Sequence, residues 1–213
     1  DLPIKKYHAT GRLAQLFWKH LFQLAVERRS DPDDAARRPV FLWADEAQHF
    51  AADSDLLFQA TARSARCATV YLTQTLPGFQ AAMGGHQARE RTDGLFANLT
   101  TKILHANGDP ATNEWAAAQI GRVLQHRANV TTSEAPAPTR LGLHELFQMF
   151  NRGSQRSVST SQVVDFEVQP SEFMKLRTGS TKNDGMVEAF FLKPGATFST
   201  GKHFFKATFE QEH

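Results

Sequence analysis

The stretch that decides the fold is Pro39–Phe50, PVFLWADEAQHF. An apolar run, Val40-Phe41-Leu42-Trp43-Ala44, ends on two adjacent carboxylates, Asp45 and Glu46, and helix-compatible residues follow. A strand buried on both faces reads as an unbroken apolar segment of this length. Two acids at its carboxyl end suit phosphate chemistry. The first carboxylate can hold a Mg²⁺-bound water, and the second can orient or deprotonate an attacking water. The same residues suit a plainer role, a strand leaving into a solvated turn whose acids favour the dipole of a following helix. On this stretch alone the two readings are evenly matched.

The residues downstream tip the balance. Asp53 or Ser54 is placed to cap a helix over Leu56–Ser64, with Arg63 and Arg66 at its end. Cys67–Thr73, CATVYLT, is apolar and rich in β-branched residues, so it reads as a second buried parallel strand ending on Thr73-Gln74. Strand, helix, strand is a right-handed βαβ unit, and its parallel strands present their carboxyl ends to one crevice. Asp45, Glu46 and Gln74 are therefore expected to face one ligand. This is the Walker B arrangement, with a polar amide on the neighbouring strand tip where a nucleotide sensor would sit. Taken alone, Gln74 is equally an ordinary loop glutamine.

The alternation continues. Leu76-Pro77-Gly78 reads as a turn, Phe79–Met83 as a short helix broken by Gly84-Gly85, Gln87–Asn98 as a helix and Leu99–Ala106 as a third strand. Asp109 as N-cap and Pro110 at the first position open a further helix, which Gly121 closes. Upstream, Asp1–Ile4 reads as the tail of a strand. Leu13, Leu16, Phe17, Leu21 and Leu24 mark a helix that Thr10 caps, and Ser30–Arg38 is a polar loop.

Three parts are expected: a core over 1–122, mobile loops over 123–162, and a β-rich part over 163–213. Gln125–Thr139 and Asn151–Ser161 are polar and flank an amphipathic segment, Leu141–Phe150. Pro170–Leu176 reads as a helical turn capped by Ser171. Val187–Leu192 and Phe204–Phe209 read as an antiparallel hairpin on a sheet edge. The fold class is α/β, a mostly parallel sheet flanked by helices, with an antiparallel C-terminal hairpin.

Composition narrows the options. Across 213 residues, 24 Lys and Arg against 22 Asp and Glu leave the chain near neutral, so any nucleic-acid contact rests on local patches, for which Gly84–Arg91 and Asn151–Arg156 are the candidates. A single cysteine, Cys67, excludes an internal disulfide framework and argues against a zinc site. No apolar stretch reaches the length of a membrane span. The phosphate-cradling motif G-x-x-x-x-G-K-[ST] does not occur; Gly179-Ser180-Thr181-Lys182 has the residue types in the wrong order.

PVFLWADEAQHF, then ARSARCATVYLTQT (62–75), LFANLTTKILHANGDPATNEWAAAQIG (95–121), VQPSEFMKLRTGSTKNDGMVEAFFLKPG (168–195) and FFKATFEQ (204–211) together resemble the conjugative coupling ATPases. These are TraG/TraD-like proteins of type IV secretion, related to the FtsK/HerA-type DNA pumps. The resemblance covers nearly the whole chain and places it in the C-terminal portion of a RecA-like motor domain that lacks the phosphate-loop portion. It implies ATP and Mg²⁺ as cofactors, with Asp45 holding the ion through water, Glu46 polarising the attacking water and Gln74 as sensor. Arg63 matches the arginine that reaches the next subunit's γ-phosphate. Arg66, where relatives often carry glycine, is the second choice. For either arginine the alternative is a helix-end cation offsetting the dipole, worth about 0.3–1 kcal/mol.

The resemblance further implies a hexamer in the intact protein, with a monomer or weak oligomer expected for this portion without nucleotide. It implies single-stranded DNA delivered by a relaxosome, secretion-channel components as partners, and a cytoplasmic location below an inner-membrane anchor carried by missing upstream segments. Two other readings stand beside it. One is a non-hydrolysing docking module for relaxosome components, secreted substrates or partner subunits. The other is a DEAH-box helicase, which Gln48 disfavours by interrupting the tetrad.

Overall fold

The computed structural model describes residues 4–29, 38–132 and 156–211. The chain divides into two compact units, one of residues 1–120 with 168–213 and one of residues 121–167.

The first unit opens with α1 (Ile4–Glu27). It is kinked at His8, whose φ of 45° is left-handed, and the uninterrupted stretch beyond the kink is the helix that the apolar spacing predicts. Residues 1–3 and 30–37 lie outside the described residues, and with them most of the expected strand tail and of the polar loop; Ile4, expected in that tail, is helical. β1 (Val40–Ala44) and β2 (Cys67–Tyr71) pair in parallel, Val40 opposite Cys67 and Ala44 opposite Tyr71. Helix α2 (Asp53–Thr61) joins them, completing the βαβ unit.

The cap of α2 differs from expectation. It falls on Ala52, and Asp55 in the first turn accepts the Ala52 N–H at 2.9 Å. Asp55 is fully buried. It accepts hydrogen bonds from Lys19 Nζ at 2.5 Å and Gln23 Nε2 at 2.7 Å, both on α1. Lys19 Nζ also donates to the Phe50 carbonyl. Burial pushes the Lys19 ammonium below its ordinary value, and Asp55 opposes that shift. A charge pair of this kind ties α1 to α2, because loss of either partner would leave the other charge buried and unpaired.

Below the pair, Phe22 and Val26 of α1 pack with Phe58, Ala62, Ala65 and Cys67. A second cluster joins Ala44, Ala47 and Ala51 to Phe79 and Leu95, with Tyr71 and Phe96 against it. These clusters cover one face of β1. On its other face Phe41 is 59 % and Trp43 68 % exposed, so the strand expected to be buried on both faces is covered on one among the described residues.

α3 (Leu76–Met83) begins earlier than expected. Pro77 lies in its first turn, and the Thr75 hydroxyl caps it by accepting the Gly78 N–H. After the left-handed Gly84 and Gly85 come α4 (Ala88–Asn98), β3 (Lys102–His105) and α5 (Pro110–Ile120). Asp109 caps α5 as predicted, its Oδ2 accepting the Thr112 N–H at 2.8 Å.

β3 departs from the expected parallel sheet. It pairs antiparallel with β6 (Met186–Leu192), which pairs antiparallel with β7 (Phe204–Glu210), in the order β3-β6-β7. The C-terminal hairpin therefore has a third strand. One helical turn, α6 (Pro170–Met174), packs on this sheet and is preceded by Gln169 rather than capped by Ser171. Phe173, Phe190 and Phe204 are core, as expected, while Phe191, Phe198 and Phe205 are partly buried and Phe209 is exposed. Phe173 meets Phe190 at 5.2 Å between centroids, and Phe191 and Phe198 both meet Phe205.

In the second unit, strands stand at 123–132 and 156–162, where loops were expected. β4 (Arg122–Thr132) and β5 (Arg156–Phe166) form an antiparallel ribbon, paired from Arg122–Phe166 to Thr132–Arg156. The segments that read as loops for their polarity are rich in Val, Thr and Ser, which suit paired strands whose backbone groups satisfy each other. The Arg122 guanidinium lies 4.6 Å from the Phe166 ring centre. Residues 133–155, including Leu141–Phe150, lie outside the described residues. Among the described residues, no helix is long and apolar enough to cross a membrane.

Candidate functional site

The site is built where β1 and β2 end. Glu46 follows β1 with φ 51° and ψ 46°, a left-handed conformation costly for a residue with a Cβ. The surroundings over-determine it. Glu46 N–H donates to its neighbour's Oδ1, on Asp45, at 2.9 Å. The next residue, Ala47, donates to the Leu72 carbonyl at 2.8 Å, and Leu72 N–H to the Ala44 carbonyl at 2.9 Å. The reversed backbone turns the Glu46 side chain across to the tip of β2. There Gln74 Nε2 donates to Glu46 Oε1 at 2.6 Å. Gln48 Nε2 donates to the other oxygen, Oε2, and Gln48 Oε1 accepts the Thr73 hydroxyl at 2.9 Å.

The amide donors, Gln48 first and Gln74 next, hold the Glu46 carboxyl below the usual carboxylate range. Both donors are neutral. Glu46 is therefore ionised near neutral pH and keeps its negative charge at a half-exposed strand tip. Such a group can take a hydrogen bond from a water or lie beside a cation. Asp45 stands beside it, exposed, with Oδ1 on the Glu46 N–H.

The turn after β3 reaches the same place. Asn107 Nδ2 donates to the Gln74 carbonyl at 2.6 Å, and Thr112 Oγ1 accepts the Leu76 N–H at 2.9 Å. Thus loops from two sheets converge on Gln74.

Asp45, Glu46 and Gln74 come together as the spacing predicts. Arg63 and Arg66 do not join them. They lie between α2 and β2, at the amino ends of the strands. The five residues of β2 put roughly 15 Å between that end and Gln74. Arg63 is exposed. Arg66 has φ 51°, and its carbonyl accepts the Val40 N–H at 3.0 Å, so it shapes the entry to both strands. A left-handed backbone explains why glycine is at home there.

Gln48 and Asn107 escaped the sequence reading. Gln48 was legible only as a residue interrupting an acidic tetrad, and Asn107 as a polar residue before a helix cap. Of the candidate nucleic-acid loops, residues 151–155 lie outside the described ones. In the other, Arg91 is engaged with its own fold. It pairs with Asp53 at 2.6 Å and donates to the Gly84 and Met83 carbonyls. Among the described residues, no group of three or more His, Cys, Asp or Glu is placed to hold a metal ion.

Residues 39–178 match the family described as the TraM recognition site of TraD and TraG. The chain belongs to the TraG/TraD C-terminal family. The match bears out the resemblance drawn from the motifs. No curated protein matches the chain in sequence. The fold resembles the bacterial conjugative coupling protein TrwBdeltaN70 in its unbound monoclinic form, with a TM-score of 0.58 and 14% identity over 90% of this chain and 36% of that one. It also resembles the plasmid coupling protein TrwB in complex with the non-hydrolysable GTP analogue GDPNP, with a TM-score of 0.54, 14% identity, and 90% and 35% coverage. This TraG/TraD-family chain thus spans about a third of the length of those proteins.

Proposed function

We propose that this chain carries one wall of a nucleotide-hydrolysing site in a DNA-transfer motor with a RecA-like domain. The observation that carries the reading is the Gln74–Glu46 hydrogen bond, which ties the tips of two parallel strands into one ionised, amide-held centre. In this reading Glu46 orients and polarises the attacking water. Gln74 reports on the nucleotide from the neighbouring tip. Asp45 holds Mg²⁺ through water. An exposed carboxylate fits that ion, which keeps most of its waters and takes its remaining ligands from phosphates. When bound, Mg²⁺ would offset charge developing on the transferred phosphoryl group.

Arg63 cannot serve the Glu46 of its own chain from the opposite end of β2. It is exposed, and the role that fits is a finger offered to a neighbouring subunit's γ-phosphate. Arg66, whose backbone shapes the strand entry, is the weaker candidate.

With the family, this points to an ATP-driven motor that moves single-stranded DNA or a DNA–protein substrate from a relaxosome into a type IV secretion channel. It would work as a hexamer, on the cytoplasmic side of an inner-membrane anchor. The β/γ-phosphates would be cradled by a loop outside these 213 residues, which contain no G-x-x-x-x-G-K-[ST].

The test is Glu46→Gln in a protein that also carries a phosphate loop. ATP turnover falls by about 10²-fold or more while nucleotide binding persists. Unchanged turnover refutes the assignment. A second reading, a non-hydrolysing module that docks a relaxosome component, is favoured by the family's description as a TraM recognition site. Undiminished TraM-type partner binding by a protein with no ATP turnover would support it.

A further inference from the structure

Asn107 lies two residues beyond β3, and three of its polar groups are engaged. Its Nδ2 donates to the Gln74 carbonyl at 2.6 Å, its Oδ1 accepts the Asp109 N–H at 2.8 Å, and its own carbonyl accepts Asn113 Nδ2 at 2.9 Å. Asn113 is buried in α5, so Asn107 is fixed to the body of that helix. Beside it, Asp109 Oδ2 holds the Thr112 hydroxyl at 2.6 Å, and Thr112 Oγ1 accepts the Leu76 N–H. The backbone is therefore gripped on both sides of Thr75 by the β3–α5 turn. The residue gripped first, Gln74, is the one whose side chain reaches Glu46.

We propose that Asn107 is a positioning residue. It sets the backbone of Gln74 so that the amide stays on Glu46, and it links the β3-β6-β7 sheet to the strand-tip site. This rests on reading Glu46 and Gln74 as part of a nucleotide site. The chemistry is specific to an amide, because one end must donate to a carbonyl while the other accepts an N–H. Aspartate has nearly the same shape and keeps the acceptor, but it sets an oxygen against the Gln74 carbonyl. A shift of the strand tip by a fraction of an ångström then propagates to Glu46.

The experiment is steady-state ATP hydrolysis by a protein that joins this chain to a phosphate loop, with Asn107→Asp, Gln74→Ala and the double substitution. Asn107→Asp lowers kcat roughly tenfold, with KM for ATP changed less than about twofold. In the Gln74→Ala background it adds less than about a twofold loss, because the residue it acts through has gone. The melting temperature, read alongside, separates lost positioning from lost folding. A kcat unchanged by Asn107→Asp, a full loss repeated in the Gln74→Ala background, or a loss that only tracks melting would overturn the proposal. Glu46→Gln is assayed in parallel. If it leaves turnover intact, the site reading itself fails and the proposal fails with it. If turnover collapses in Glu46→Gln and the double substitution is additive, only the role of Asn107 is lost.

Discussion

Glu46 at the tip of β1 and Glu188 in the middle of β6 are both held below the usual carboxylate range, by opposite means. Glu188 is buried. It pairs with Lys206 at 2.9 Å and Arg177 at 3.5 Å and accepts the Arg177 N–H at 3.0 Å. Lys206 is the first cause of its lowered pKa. Glu46 is half-exposed, sits on a left-handed backbone, and is held by two neutral amides. Cations neutralise the first carboxylate where it stands, which suits a fixed structural role. The second keeps its charge beside an exposed Asp45, in a conformation that the chain adopts only because several hydrogen bonds enforce it. A low pKa marks both; the kind of partner distinguishes a strut from a site.

The comparison can be broken most forcefully at Glu188. Glu188→Ala removes the acceptor of the Arg177 N–H and leaves two cations without their shared partner. It should destabilise the fold by about 1–3 kcal/mol, the partly exposed cations being screened by solvent. Denaturant unfolding checks this, and an unchanged midpoint would remove the structural role.

Acidity gives the next test. Folding lowers the pKa of both carboxylates, so each contributes stability that is present above the ordinary carboxylate range. That contribution is lost as pH falls through the lower, folded-state value. Stability measured from neutral into acidic solution should decline more gently in Glu188→Ala than in the native chain. Identical slopes would contradict the charge-paired picture.

The smallest effect is at Arg66. Its φ of 51° belongs to glycine, so Arg66→Gly relieves backbone strain while giving up the residue's own interaction, and the net change in stability should stay within about 1 kcal/mol. A larger loss would mean that the interaction outweighs the strain.

The βαβ unit was legible because its signals are local. Val40–Ala44 and Cys67–Tyr71 are apolar runs of strand length, and the Asp109-Pro110 pair announces its helix. Gln74 was legible because parallel strands bring their carboxyl ends together. What was hidden depends on long-range contacts. The strand Lys102–His105 reads as one more member of a parallel sheet, and its antiparallel partner arrives over eighty residues later. The β4–β5 ribbon was masked by polarity, and the pairing that forms it joins residues far apart in the chain. The Lys19–Asp55 pair is invisible in sequence, since each residue alone looks like a solvated surface charge. Gln48 and Asn107 acquire meaning only once the turns around Glu46 and Gln74 are in place.

The most direct test of the account is ATP turnover by Glu46→Gln and Glu188→Gln variants of a protein that joins this chain to a phosphate loop, each with its melting temperature. The account predicts that Glu46→Gln loses turnover by about 10²-fold or more with little change in melting. Glu188→Gln should lower melting and keep turnover per folded molecule. Full turnover in Glu46→Gln, or the same loss in both variants, would contradict it.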